Sequence, residues 1–193
     1  MKLAAYFRGC WRALVGEADW PSFMQLGRRG VYESYTALLL AIPAYYICAL
    51  AVTAQRANLS GEAAQSLPLA AFAFGAGLYG LVFSGGVYLI TSLTRPEAFA
   101  PWVILRHWSL FFCALFAACS FGLFQLGIVP FAAANLAGFA AYILTLMIDI
   151  ILARRIGGFG WTGAVMTGCL IKALELSVLL IGIVQISRFG GSL

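Results

Sequence analysis

Long unbroken apolar runs, not alternating ones, dominate this chain, and five of them are each about long enough to cross a bilayer. They cover residues 31–54, 67–93, 108–128, 131–152 and 161–186. At 1.5 Å rise per residue, helices of about 21–27 residues cross a hydrocarbon core of about 30 Å with modest tilt. Continuous runs predict helices and argue against a β-barrel, whose strands would alternate. The fold class expected is therefore all-α, a polytopic transmembrane bundle of five spans over 31–193. The connections are a polar stretch at 55–66 with Arg56 and Glu62, a stretch at 94–107 with Arg95, Glu97 and Arg106, and a minimal turn at Val129-Pro130. A tight basic turn follows at Arg154-Arg155-Ile-Gly-Gly-Phe-Gly, and a short tail begins at Ser187.

Residues 1–30 are patterned differently. Leu3, Phe7, Cys10 and Leu14 share one helical face, flanked by Tyr6 and Trp11, while Lys2, Arg8 and Arg12 point elsewhere. This predicts an amphipathic interfacial helix lying on one leaflet, with Leu3, Phe7, Trp11 and Leu14 as its membrane-facing residues. Glu17 to Pro21 should break it, and Ser22 is placed to cap a second short helix carrying Phe23, Met24 and Leu26 that ends near Gly27 or Gly30. Such a segment reads either as a platform for a protein partner or as an anchor that orients the first span.

Charge sets the expected orientation. Lys2, Arg8, Arg12, Arg28, Arg29, Arg95, Arg106, Arg154 and Arg155 fall on one side and Arg56 and Arg188 on the other, nine against two. Basic residues stay cytoplasmic, which puts the N-terminus inside and the C-terminus outside. Trp102, Trp108 and Trp161 fall near the expected cytoplasmic ends, where indole rings favour the interface. No cleavable signal peptide is evident, because the first run is too long for a signal core; that span reads as an uncleaved insertion signal.

Composition agrees with lipid as the solvent: 63% of residues are hydrophobic and 10% charged, with mean hydropathy +0.94. A soluble domain is nearer half apolar and a quarter charged. The net charge of +5 sits beside the spans, so it points to anionic headgroups and away from nucleic acid. The five cysteines, Cys10, Cys48, Cys113, Cys119 and Cys169, contain no Cys-x-x-Cys pair and His107 is the single histidine, which argues against a zinc site or a disulfide framework.

Motifs with chemical associations reduce to packing. Gly75-Ala-Gly77-Leu-Tyr-Gly80 matches a dinucleotide fingerprint, but it lies inside an apolar span without a preceding strand. The period-four stripe Ala76, Gly80 and Ser84 suits close helix packing in lipid, and Gly85-Gly86 would extend or loosen it. Asn58-Leu-Ser60 fits a glycosylation sequon in the expected outer loop. Thr94-Arg-Pro-Glu97 fits a capping box before the third span. His107 reads as an interfacial residue, with Glu97 the nearest carboxylate in sequence. No catalytic, cofactor or metal constellation assembles, so a non-enzyme is expected, and no cofactor.

The polar residues that stand out are Asp149, Lys172 and Glu175, each inside an expected span. A charge at a helix centre costs about 2.5–3.5 kcal/mol on insertion scales, so such residues face protein or water. In the hairpin of spans four and five, Lys172 falls opposite Ile143 and leans toward Asp149, within reach of a salt bridge. Glu175 lies three residues on and can share the ammonium. Tyr142 sits at the depth of Lys172 and can donate a hydrogen bond. Two readings of this cluster follow: a proton, ion or substrate path, or a neutralised network that fixes helix register. No paired broken helices and no internal repeat of the transporter kind are visible.

The amphipathic N-terminus, five closely spaced spans, short tail and basic turn between spans four and five resemble the Yip1-like membrane proteins over residues 32–186. The stretch 99–109, with Arg106-His-Trp-Ser109 opening the third span, looks like the corresponding segment of bacterial members. No counterpart of the acidic cytoplasmic motif of eukaryotic members is found. The resemblance implies an adaptor and not an enzyme, and transfers no functional residue. The expectation is a non-catalytic interaction or organising protein, or an accessory subunit, of a bacterial inner membrane, with the lipid bilayer, a protein partner or further copies of itself as partners. The alternative is a small oligomeric transporter or channel using Asp149, Lys172 and Glu175.

Overall fold

The computed structural model describes residues 3–61 and 68–190, without the side chains of residues 179 and 182–190. Lys2 and Glu62 lie outside the described residues, and Arg188 outside the described side chains. Among the described residues six α-helices follow one another: α1 (Leu3–Val15), α2 (Arg28–Ser60), α3 (Leu69–Thr94), α4 (Phe99–Gln125), α5 (Phe131–Arg155) and α6 (Trp161–Gly190). No strand occurs among the described residues. Short 3-10 turns at Trp20–Phe23 and Pro96–Ala98 lead into α2 and α4.

Among the described residues four helices are long and apolar enough to cross a membrane: α2, α3, α4 with the turn before it, and α5. This is an integral membrane protein. α6 is 30 residues long. The long helices close into a ring in the order α2, α4, α5, α6, α3 and back to α2, and α1 lies against α4 and α5. α4 is the central post, since every residue from Trp102 to Phe111 is buried.

Element ends depart from expectation in informative ways. α2 runs on to Ser60, so the Asn58-Leu-Ser60 sequon is helical instead of lying in an outer loop; Gly61 ends the helix in the left-handed region (φ 71°). α4 begins at Phe99, nine positions before the expected start. Pro101 is tolerated there because a first-turn residue has no intrahelical N–H bond to lose. The expected capping box does not form: the Thr94 hydroxyl donates to the Ile90 carbonyl at 2.9 Å, and α4 starts without a side-chain cap. Ser22 likewise caps nothing but donates back to the Asp19 carbonyl, and a single 3-10 turn stands where a second short helix was expected. Arg154 and Arg155 belong to the last turn of α5, where cations complement the helix dipole.

The apolar side of α1 is divided between the bundle and the outside. Cys10 and Ala13 are buried and Tyr6 is half-buried, while Leu3, Phe7, Trp11 and Val15 form an exposed i,i+4 stripe and Leu14 is half-buried. Tyr6 stacks on Trp108 (centroids 4.1 Å apart), Phe7 meets Phe112 edge-on at 5.1 Å, and the Cys10 thiol faces the Leu105 carbonyl. These contacts advance along α4 as they go back along α1, so the two helices run in opposite senses. Trp102 and Trp108, expected at the interface, are instead buried in the protein at 0% and 1% exposure, whereas Trp161 is exposed.

The stripe on α3 packs against α2. An added Cβ at Gly80 would come within 2.9 Å of Leu38 and 3.0 Å of Tyr35, and Ser84 shares a 2.8 Å hydrogen bond with the Tyr35 hydroxyl. Ala76 is half-buried on the same helix. Gly85 meets nothing, and Gly86 turns instead toward Leu174 of α6.

Candidate functional site: a buried charge network

Four ionisable side chains from three helices meet inside the bundle. Arg106 comes from α4, Asp149 from α5, and Lys172 and Glu175 from α6. Arg106 grips Asp149 in a fork, with Nε donating to Oδ1 at 2.5 Å and Nη2 to Oδ2 at 3.2 Å, and both side chains are fully buried. Planar bidentate pairing is the strongest arrangement open to arginine and a carboxylate. Nη2 also reaches Glu175 Oε2 at 3.4 Å. Lys172 pairs with Glu175, donates to Thr145 Oγ1 at 2.5 Å and lies 3.9 Å from Asp149 Oδ2. Thr145 gives its own proton to the Tyr142 carbonyl at 2.7 Å, which leaves its oxygen free to accept from the lysine. Two formal positive charges thus face two negative ones.

Helix geometry explains why these residues converge. Lys172 Nζ reaches Thr145, which lies from the level of Ile143 toward Asp149, the direction in which the lysine was expected to lean. Gly168, next to Ile150, has no Cβ that would hold α5 and α6 apart there. Tyr142 presents its ring face 4.7 Å from Lys172 Nζ, in place of the hydroxyl contact expected of it. Asp149, Lys172, Glu175 and Tyr142 are therefore brought together, and Arg106 and Thr145 join them.

Arg106 is the member that sequence reading missed. The pattern of apolar runs puts it in a cytoplasmic connection, among the nine basic residues of that side. Its flanks, Trp102-Val-Ile-Leu105 before and Trp108 after, were the signal available: an arginine in an apolar run needs a buried partner. Without it the bias becomes eight against two. His107 moves inward as well. It is fully buried, its Nδ1 lies 2.9 Å from Ser34 Oγ, and its ring is flanked by Tyr35 and Phe83. Glu97, proposed as its nearest carboxylate, is exposed and lies 4.0 Å from Arg95.

One end of the bundle gathers Arg12, Arg29, Arg95, Arg154 and Arg155. Arg155 donates to the Ala13 carbonyl at 3.3 Å, Arg154 stacks 3.7 Å over Trp161, and the Arg95 side chain lies over Gly158 (φ 73°). Arg12 pairs with Glu17 and Asp19, and Arg29 with Glu33. On α1, the Tyr6 hydroxyl donates to Glu33 at 3.2 Å; burial first and Glu33 second raise its pKa. Burial pushes the Cys10 thiol up to about 12.

No family model matches this sequence, and no curated protein or solved structure is significantly similar to it.

Proposed function

We propose that this is a non-catalytic organising or interaction protein, or an accessory subunit, held in a bacterial inner membrane by five spans, with α6 as the fifth. In this reading the N-terminus is cytoplasmic and the C-terminus outside, on the basic bias that remains after Arg106 is removed from the count. The layout is that of a Yip1-like adaptor. The exposed stripe of α1 meets acyl chains of the inner leaflet, arginines beside it meet anionic headgroups, and a protein partner or a second copy uses the platform they form.

The observation that carries this reading is the charge network. Its four charges cancel, Arg106 and Asp149 are sealed from the surface, and the neighbouring pocket between α3 and α6 measures only about 20 Å³. Charges arranged this way fix helix register. Lys172→Met tests it: thermal stability in detergent should fall, and proteoliposomes should show no ion or proton flux to lose. Deleting residues 1–16 should release co-purifying proteins while α2–α6 stay folded. An unchanged set of partners would count against the platform.

The alternative, a small oligomeric transporter or channel, rests on Glu175. Its side chain keeps 20% of its exposure and lines that same pocket. Flux in the wild-type protein that Lys172→Met abolishes without loss of fold would favour it.

A further inference from the structure

The basic end of the bundle holds two kinds of arginine. Arg12 pairs with Glu17 and Asp19, and Arg29 with Glu33, so their charge is neutralised within the protein. Around the turn between α5 and α6 it is not. Arg154 and Arg155 are exposed and have no carboxylate partner among the described residues. Arg95, laid over Gly158 of that turn, has only exposed Glu97 at 4.0 Å, and an ion pair between exposed groups is weak. Arg154 is also held in place, because its guanidinium carbon lies 3.7 Å over the centre of the Trp161 ring. Stacking occupies the flat face of the group and leaves the N–H donors at its edge, where they meet no acceptor among the described residues.

We propose that this cluster is a binding site for an anionic phospholipid, with Arg154 donating to the phosphate and an acyl chain lying along α6. The charge selects the headgroup. A phosphate accepts the N–H edge of an arginine, and the uncompensated charge of Arg95, Arg154 and Arg155 disfavours a headgroup that carries its own ammonium. The surface that continues from the arginine selects a lipid over a free phosphate. Trp161 is 63% exposed, and Val165, Cys169 and Leu176 are exposed after it at helical spacing. They form an apolar track that starts beneath the guanidinium and runs along one face of α6. Its start lies beside the last turn of membrane-spanning α5, a headgroup-level position that suits an indole ring. The inference rests on the reading above that arginines of this end meet anionic headgroups, and it narrows a diffuse basic surface to one site.

Native mass spectrometry of the full-length protein released from nanodiscs tests it. From a mixture of phosphatidylglycerol and phosphatidylcholine, the wild-type protein should retain phosphatidylglycerol in preference. Arg154→Gln should lower that preference about fivefold, the effect expected of one arginine at an anionic surface. Arg29→Gln, at the same end but paired with Glu33, should leave it unchanged. Both side chains are exposed, so neither change threatens the fold. No preference in the wild type, or a preference kept in Arg154→Gln, overturns the proposal. An equal loss in Arg29→Gln overturns it too, by showing diffuse charge in place of a site. Inorganic phosphate at the same concentration should not displace the lipid, and displacement would overturn the lipid as ligand. A nanodisc has no cytoplasmic side, so failure here strikes the site alone, while deletion of residues 1–16 remains the test of the adaptor reading.

Discussion

Within α4, residues Trp102–Phe111 and residues Leu115–Leu123 belong to different environments. The first segment is enclosed on every side: α1 stacks on it through Tyr6, α2 reaches it through Ser34, and α5 and α6 supply the carboxylates for Arg106. In the second, Leu115, Phe116 and Leu123 face outward, and the core narrows to a small cluster of Ala51, Phe121 and Ala134. The contrast shows how a helix bundle holds together where lipid removes the hydrophobic drive between helices. Near the basic end, directional bonds and ring stacks fix the helices. Toward the other end, small residues allow close approach, helped by a 3.3 Å hydrogen bond from Gln125 to the Ile47 carbonyl.

The sharpest way to break this contrast is to remove one buried charge. Asp149→Leu leaves Arg106 sealed in without its fork and should cost about 3–5 kcal/mol in thermal or denaturant unfolding. Adding Arg106→Met to it should recover most of that loss, because replacing both partners of a buried pair with apolar groups is often neutral. A double mutant as unstable as Asp149→Leu alone would mean that packing, not charge balance, governs the near half. Gly80→Ala should cost about 1–3 kcal/mol by overpacking against Leu38 and Tyr35. Gly77→Ala meets nothing and should gain up to about 1 kcal/mol from helix propensity. In the far half, Gln125→Ala should cost about 0.5–1.5 kcal/mol, the usual net worth of one hydrogen bond.

A last effect, absent at neutral pH, is one of alkaline pH and concerns Cys10. Burial raises its thiol from 9.0 to about 12, so the folded chain keeps a proton that the unfolded chain gives up above pH 9. This contribution to stability is whole below pH 9 and declines as pH rises toward 12. At pH 8, Cys10 should resist alkylation in the folded protein and react once it is unfolded. Prompt labelling of folded protein would show that α1 leaves α4 readily.

The helices were legible because long apolar runs have one economical solution in lipid, and the bundle's polar residues stood out because they are rare. What was not legible follows from the same logic. Arg106 lies next to a predicted boundary, where an arginine ordinarily marks the membrane surface, and its apolar flanks are the one local sign that sets it apart from Arg95 and Arg154. Only the approach of α5 and α6 supplies its partners, and that is a tertiary fact. Cys10 and Leu3 share a face on a helical wheel, yet α4 covers one and leaves the other open. Periodicity gives an apolar side, but the neighbour decides which part of that side is used.

Ser34 bears on one further property of the interior. Its hydroxyl has one hydrogen and two acceptors in reach, the Val31 carbonyl at 2.7 Å and His107 Nδ1 at 2.9 Å. With that hydrogen on the carbonyl, the neutral imidazole carries its own on Nδ1 and leaves Nε2 a lone pair without a protein donor among the described residues; with it on the ring, Nε2 is the protonated nitrogen. The tautomer is therefore coupled to a serine one helix away, and nitrogen NMR of the ring would read it directly. A change at Ser34 would remove that coupling at the centre of the bundle without touching the histidine.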